Sequence, residues 1–295
     1  MTRAETTRAA LLRDRIVQQV AELGFDAHGL HVLAGDDEAG HRWTEDVRED
    51  IHSAAKGVCV LAVGIAIDDG LITMDTTLGA VFPEVDFGEG TADVTLRHLL
   101  NMTSGVDLPW SPTLLSDWPD LALEFLSRPS RGRVFQYSNA STYTAMRALE
   151  TRVGDVGDYI EQRLLAPLGI HDAPLERCPR GFIAAGGGLH LRTTELARIG
   201  RLIRDRGRWG GERLLSAEWI DAMHTEWVPS GTGDGYERYA LAGWDGPGAA
   251  WRLHGAYGQL VIFAGDAVVT ITAADHEGAD HIATSVSSLL TDTAG

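Results

Sequence analysis

A serine and a lysine three residues apart, Ser53 and Lys56, form the first pair whose types and spacing indicate chemistry. Positions i and i+3 of a helix share a face, so the hydroxyl and the amine can lie side by side. A serine needs a base to become a nucleophile, and a partly buried lysine with a lowered pKa can act as one. The N-terminus of a helix also presents free N–H groups that favour developing negative charge.

The same pattern arises by chance in many chains, where it means a helix-capping serine beside a solvated lysine. Two features favour the catalytic interpretation. Lys56 is the only lysine among 25 basic residues, and an arginine cannot release a proton near neutral pH. The residues that follow Lys56 are also strongly apolar.

A second group is Tyr137-Ser138-Asn139, directly before a predicted helix. A phenol near an ammonium group can relay a proton, and Asn139 can accept a hydrogen bond from Lys56 while it donates one to a substrate carbonyl. The alternative is a helix start, with Ser138 or Asn139 as N-cap and Tyr137 as a packing residue. Taken alone, this group favours the alternative.

A third group, His254-Gly255-Ala256-Tyr257, lies in the strand-rich C-terminal part of the chain. Small residues allow a ligand to lie against the backbone of a strand, and a backbone N–H there can form half of an oxyanion hole. The alternative is a hairpin turn with a core histidine, which this group taken alone favours.

The elements that must position these groups are helices enclosed between strands. The first 24 residues predict an amphipathic helix, 29–35 and 40–44 predict strands, and 53–68 predicts an apolar helix. Three strands are predicted within 251–275, and a long loop over 106–129. Further helices are predicted over 95–102, 121–126, 141–153, 156–165, 194–206, 217–223 and 279–290. One sheet built from both termini, with a helical insertion, follows from this order.

Composition excludes several classes of function. The 295 residues carry a net charge of −17, which disfavours nucleic acid and anionic membrane partners. Cys59 and Cys178 cannot make a disulfide framework or a metal quartet. The longest apolar run, 58–67, is too short to span a bilayer, and no secretory signal pattern is visible, so we expect a cytoplasmic protein.

Taken together, the order S-x-x-K, Y-S-N and H-G-A resembles the serine β-lactamase and penicillin-binding-protein superfamily. The similarity is greatest to its class C-like branch, which includes esterases, D-amino-acid peptidases, DD-peptidases and amide hydrolases. It extends from the first helix to the last and includes VTLRHLLNMTSGV (94–106) and RGRVFQYSNAS (131–141). The resemblance implies an α+β, β-lactamase-like fold, in which helices flank an antiparallel sheet from both termini and a mainly helical region lies between. We expect a sheet domain from 1–60 and 185–295, a helical domain from 61–184, and the active site at their junction.

The resemblance also implies roles for matching residues. Ser53 would be the acylated nucleophile, and Lys56 and Tyr137 would share the base and acid work. Asn139 would orient Lys56 and the substrate carbonyl. The backbone N–H groups of Ser53 and Tyr257 would form the oxyanion hole. No metal or organic cofactor is needed for this chemistry.

Two positions depart from the family pattern. His254 replaces the commoner lysine, and Ala256 stands where a glycine is common. A lysine there suits a substrate carboxylate, whereas a histidine is mostly neutral at pH 7. This difference weakens the β-lactamase and DD-peptidase interpretations.

Three further residues have competing interpretations. Trp110 is equally compatible with core packing and with an aromatic wall around an acyl group. We expect His52 to pack away from the site, because neighbours on a helix point in different directions. Cys59 is interpreted as a core thiol.

These observations predict a serine hydrolase that forms an acyl-enzyme on Ser53 and acts on an ester or amide of a small molecule. A transacylase differs only in passing the acyl group to an acceptor other than water. The same residues are compatible with a β-lactamase or DD-peptidase, and with a non-catalytic ligand-binding protein on the same fold. The identity of the acyl donor and the oligomeric state stay open.

Overall fold

The computed structural model describes residues 7–113, 118–233 and 235–292. Its strands are β1 (Ala27–Ala34), β2 (Asp37–Arg42), β3 (Glu49–Asp50), β4 (His190–Leu191), β5 (Arg208–Trp209), β6 (Glu212–Arg213), β7 (Val228–Pro229), β8 (Arg238–Ala240), β9 (Gly243–Asp245), β10 (Trp251–Gly255), β11 (Gln259–Ala264) and β12 (Ala267–Ala273). Its helices are α1 (Arg8–Leu23), α2 (Ala55–Asp68), α3 (Leu78–Val81), α4 (Leu96–Leu100), α5 (Trp110–Thr113), α6 (Leu121–Ser127), α7 (Asn139–Val153), α8 (Val156–Ile160), α9 (Thr193–Arg204), α10 (Ala217–Ala222) and α11 (Ala279–Asp292).

The main sheet has eight strands in the order β2-β1-β12-β11-β10-β9-β8-β7. Strand β1, near the N-terminus, pairs antiparallel with β12, near the C-terminus, from Ala27 opposite Ala273 to Ala34 opposite Ala267. The predicted sheet from both termini is therefore present.

Both faces of the central strands are covered, because every residue of β11 and β12 is buried. Alternate residues of a strand face opposite sides. Leu260 and Ile262 of β11 belong to the core shared with α1 and α11. Val261 and Phe263 belong to the core shared with α2 and α9. The sheet is thus the middle layer of the molecule.

Helix α2 is the central helix, and its residues from Ala55 to Ala66 are all buried. A helix that is apolar on all sides is stable only when neighbours surround it. It shares a core with α7, α9 and β10. The start of α2, which carries the predicted nucleophile pair, is therefore held between the sheet and the helical region.

Several boundaries differ from the predicted ones. Ser53 lies in a 3-10 turn, His52–Ala54, ahead of α2 rather than in the helix itself. The helix predicted from 141 begins at Asn139, and the one predicted over 156–165 ends in a π-helical turn, Glu161–Leu165.

The three strands at one end of the main sheet, β7, β8 and β9, were not predicted. Each has two or three residues, too few for an alternating pattern, and sheet pairing alone defines them.

Two of the predicted elements extend beyond the described residues. Residues 1–6 of the predicted first helix and 114–117 of the predicted loop lie outside the described ranges. The division into a sheet domain and a helical domain stays a prediction. Within the described part of the chain, no helix has the length and apolarity needed to cross a bilayer.

Candidate active site

Ser53 and Lys56 are in direct contact at the start of α2. Lys56 Nζ donates a hydrogen bond to Ser53 Oγ at 3.0 Å. The lysine side chain is buried, at 1% exposure, whereas Ser53 is only half-buried and faces a cavity. An amine in contact with the hydroxyl is what general-base activation of a serine requires.

Two further acceptors hold the amine of Lys56. Asn139 Oδ1 lies 2.7 Å from Nζ, and the backbone carbonyl of Gly186 lies 2.8 Å away. With Ser53 Oγ, these acceptors match the three donors of an ammonium group. Within the described ranges Lys56 forms no ion pair with a carboxylate. Its position is therefore fixed by three directed hydrogen bonds.

The carbonyl of Gly186 is a site group that the sequence did not reveal, because no side-chain pattern marks a backbone ligand. The segment around Gly186 can approach the site only because glycine has no side chain. A Cβ at residue 186 would lie 2.7 Å from Asn139 Cγ, closer than such contacts occur. A glycine in the AAGGG stretch is the signal that could have drawn attention to it.

Tyr137 lies beside this pair without bonding to it. Its ring centroid is 4.9 Å from Lys56 Nζ, and its ring packs against Trp244 at 5.6 Å. Its hydroxyl forms no hydrogen bond with any residue that the structure describes. The structure thus brings Tyr137 to the cavity wall, and its role in proton transfer stays a prediction. The neighbouring Ser138 is buried and donates a hydrogen bond to Leu108 O at 2.5 Å. This bond joins the start of α7 to the segment that contains Leu108.

The end of β10 lies against the nucleophile turn. A Cβ at Gly255 would be 2.3 Å from Ile51 O and 3.1 Å from Ala54 N, so only glycine permits this approach. Ala256 and Tyr257 follow in a 3-10 turn (Ala256–Gly258) and line the same cavity as Ser53.

Tyr257 therefore lines the same cavity as Ser53. It has a left-handed backbone, with φ of 61°, and the residue is 46% exposed. The oxyanion hole formed by the N–H groups of Ser53 and Tyr257 stays a prediction.

His254 is a buried neutral side chain in the cavity wall, 8% exposed. Burial, reinforced by the nearby Arg252 guanidinium, lowers the pKa of His254 to about 3. Arg252 Nε donates to His254 Nδ1 at 3.1 Å, and the Tyr236 hydroxyl lies 3.1 Å from the same nitrogen. That hydroxyl donates to Asp280. Sequence reasoning missed Arg252, Tyr236 and Asp280 as neighbours of this motif.

The cavity that these residues share has a volume of about 1080 Å³. Its lining includes Leu121 and the aromatic side chains of Trp110, Trp118 and Tyr143. Trp110 is 46% exposed, so of its two interpretations the structure favours a cavity wall over core packing. A cavity of this size accommodates a small organic molecule.

His52 lies in the cavity wall, contrary to the expectation that it packs elsewhere. The reason is its strained turn, with φ of 47°, which turns the ring toward Tyr257 at 5.1 Å.

Asp50 fixes this turn, because its Oδ1 accepts from the backbone N–H groups of His52 and Gly188, each at 2.8 Å. Burial raises the pKa of Asp50, but these bonds and the His52 ring outweigh burial and lower it. Asp50 is a further site residue that the sequence did not indicate.

Cys59 is a core thiol, as interpreted from the sequence. It is buried on α2, and burial raises its pKa to about 12. A thiol in this state is not a nucleophile near neutral pH.

Comparison with known proteins identifies the family of this chain. The family model described as Beta-lactamase matches residues 16–278. The chain belongs to the beta-lactamase family. It is 27% identical over 245 residues to a 6-aminohexanoate-dimer hydrolase from Paenarthrobacter ureafaciens. That alignment covers 75% of this chain and 61% of the relative, so the chain spans less than two thirds of the relative's length.

Solved structures share the fold at low sequence identity. A penicillin-binding protein homolog from Caulobacter crescentus superposes with a TM-score of 0.74 at 15% identity, covering 95% of this chain and 96% of that one. A D-amino acid amidase from Ochrobactrum anthropi SV3 superposes with a TM-score of 0.71 at 16% identity, covering 98% and 100% of the two chains. At these identities the similarity concerns the fold alone.

Proposed function

We propose that this protein is a serine hydrolase that forms a covalent acyl-enzyme on Ser53 with an amide or ester of a small molecule. The observation that carries the proposal is the hydrogen bond between the buried Lys56 amine and Ser53 Oγ at 3.0 Å. Amides are the favoured substrates, since a 6-aminohexanoate-dimer hydrolase and a D-amino acid amidase are among the similar proteins. A cytoplasmic location belongs to the same proposal.

The acylation step follows from the contacts of Ser53. Its Oγ attacks the substrate carbonyl carbon, and its proton passes to the lone pair of Lys56 in the unprotonated amine form, whose two N–H groups stay with Asn139 and Gly186. Tyr137 completes the transfer of the proton to the leaving group. The N–H groups of Ser53 and Tyr257 would hold the negative oxygen of the tetrahedral intermediate. When the bond to the leaving group breaks, the acyl group stays on Ser53 as an ester.

Deacylation repeats these steps with water as the nucleophile. Lys56 or Tyr137 takes a proton from the water, the ester bond to Ser53 breaks, and Oγ recovers its proton. Asn139 keeps the amine in place through both steps, because its Oδ1 lies 2.7 Å from Nζ.

Two alternatives fit the site less well. A β-lactamase or DD-peptidase needs a cation for the substrate carboxylate, and His254 is neutral. A non-catalytic binding protein would not need Ser53, Lys56 and Tyr137 together. A transacylase uses the same acylation chemistry. It differs from a hydrolase only in that the acyl group passes to an acceptor other than water.

Mass spectrometry of the intact protein tests the proposal. The protein is acid-quenched during exposure to a panel of esters, amides and β-lactams. We expect an adduct of the acyl mass in the native protein and none in Ser53→Ala. The control Ser127→Ala, an exposed serine outside the cavity lining, should be acylated normally. An equal adduct in Ser53→Ala would overturn the proposal, and acyl transfer to an added amine or alcohol instead of water would identify a transacylase.

A further inference from the structure

Two charged groups that differ in exposure, Arg252 and Asp280, lie beside His254, and of the two Asp280 lines the cavity. Arg252 is buried, at 3% exposure. Its guanidinium donates to Asp245 O at 2.9 Å, to Gly235 O at 2.8 Å and to His254 Nδ1 at 3.1 Å. The donors of this cation are therefore directed into the protein and not into the cavity.

His254 itself adds no charge. Because its Nδ1 accepts a hydrogen bond from Arg252 Nε, the ring proton is assigned to Nε2. A second ring proton would place two N–H groups against each other, next to a guanidinium. The imidazole therefore stays neutral on geometric grounds.

Asp280 is the exposed one of these two charged groups. Its side chain is 58% exposed and lines the cavity. It lies in the first turn of α11, where a carboxylate is stabilised. One oxygen, Oδ1, accepts from the Tyr236 hydroxyl, which fixes the carboxylate in place. Within the described ranges the other oxygen accepts no hydrogen bond.

The remaining charged groups of the wall are engaged with protein partners. Arg177 binds Asp155 with two hydrogen bonds, at 2.7 and 2.9 Å. Glu176 Oε1 lies 3.1 Å from His190 Nε2. In the described part of the chain, the cavity wall therefore offers no guanidinium without a carboxylate or carbonyl partner to bind a substrate carboxylate.

We propose that the substrate carries a cationic group, such as a primary ammonium, which binds to Asp280 between Tyr236 and His254. The inference rests on the proposed function and names the substrate class for it. An ammonium has donors for the free oxygen of Asp280, and the neutral imidazole does not repel it. The net charge of −17 would also attract cationic substrates to the protein.

The test uses three nitrophenyl esters whose acyl chains have equal length and end in an amino, a methyl or a carboxylate group. A parallel set of thioesters carries the same groups on the leaving thiol, so that either side of the scissile bond can present the charge. We expect kcat/KM to be highest for the amino compound in one of the sets, by about tenfold over the methyl compound at low salt.

Asp280→Asn should remove this preference by lowering kcat/KM for the amino compound to about the value of that variant for the methyl compound. The matched control is Glu84→Gln, which removes the same charge from an exposed residue outside the cavity. It should keep the preference. As a second measurement on the unaltered protein, added salt should reduce the preference for the amino compound.

Several results would overturn the assignment. They are equal kcat/KM values within both sets, a preference for the carboxylate compound, or a preference that survives Asp280→Asn but is lost in Glu176→Gln. Ser53→Ala separates the two proposals. If it abolishes turnover of all three esters while no charge preference exists, the hydrolase proposal stands and this one fails. Undiminished turnover by Ser53→Ala would instead contradict the proposed function.

Discussion

Gly255 and Ile51 approach so closely that a Cβ at residue 255 would lie 2.3 Å from the carbonyl oxygen of Ile51. This contact sets strand β10 directly against the turn that carries Ser53. The contact therefore brings the turn after β10, with the oxyanion donor proposed at Tyr257, to the same cavity as Ser53.

Replacing Gly255 with alanine should therefore damage stability and activity together. The added methyl must push β10 away from residue 51, at a cost of about 1–3 kcal/mol in the free energy of unfolding. We expect kcat to fall by more than tenfold, because removing one oxyanion donor costs about 10²–10³ in rate. Chemical denaturation and steady-state kinetics measure the two effects. In the control Gly233→Ala the methyl meets no atom of the described residues within 4 Å, and both quantities should be unchanged.

Removing the proposed nucleophile should leave the fold intact. Among the residues that the structure describes, Ser53 Oγ has one hydrogen-bond partner, Lys56, and its side chain is half-buried, so Ser53→Ala leaves no large void. We expect kcat to fall by roughly 10³-fold or more, with an unchanged melting temperature. Near-native turnover by the folded variant would show that another group attacks the substrate.

Replacing Lys56 with arginine separates the charge of this residue from its removable proton. The guanidinium keeps a positive charge near Ser53 but cannot act as a base near neutral pH. We expect the acylation burst in acid-quenched samples to disappear, although binding of a non-hydrolysable substrate analogue persists. Because Lys56 is 1% exposed, circular dichroism and a melting curve must accompany the kinetics. A normal burst would mean that only the charge at this position matters.

The neutral state of His254 makes stability depend on pH. Its pKa is about 3 in the folded protein and about 6.5 in an unfolded chain, so the unfolded state binds more protons between these values. The free energy of unfolding that depends on His254 is fully present above about pH 6.5 and is lost as the pH falls toward 3. Between pH 7 and 5, the free energy of unfolding should fall by about 1–2 kcal/mol more than in His254→Gln. Denaturant unfolding at the two pH values measures this difference, and equal decreases would show that His254 is charged in the folded protein.

Features that are local in the chain could be predicted from the sequence. Ser53 and Lys56 are three residues apart, so helical geometry alone brings the hydroxyl to the amine, and the structure places them 3.0 Å apart. The apolar pattern of the C-terminal strands predicted the sheet, and the order of the three motifs indicated the family. These features depend on the period of one element or on a short run of residue types.

The surroundings of the motifs were decided only by tertiary structure. The carbonyl of Gly186 contacts Lys56 across 130 residues of chain, and Asp280 meets Tyr236 across 44. Arg252 and His254 are two residues apart on β10, and alternate side chains of a strand share a face. Tyr236, which covers the imidazole on that face, comes from 18 residues away in the chain. Burial and hydrogen bonding depend on which distant segments pack together, and no periodicity within one segment encodes that packing.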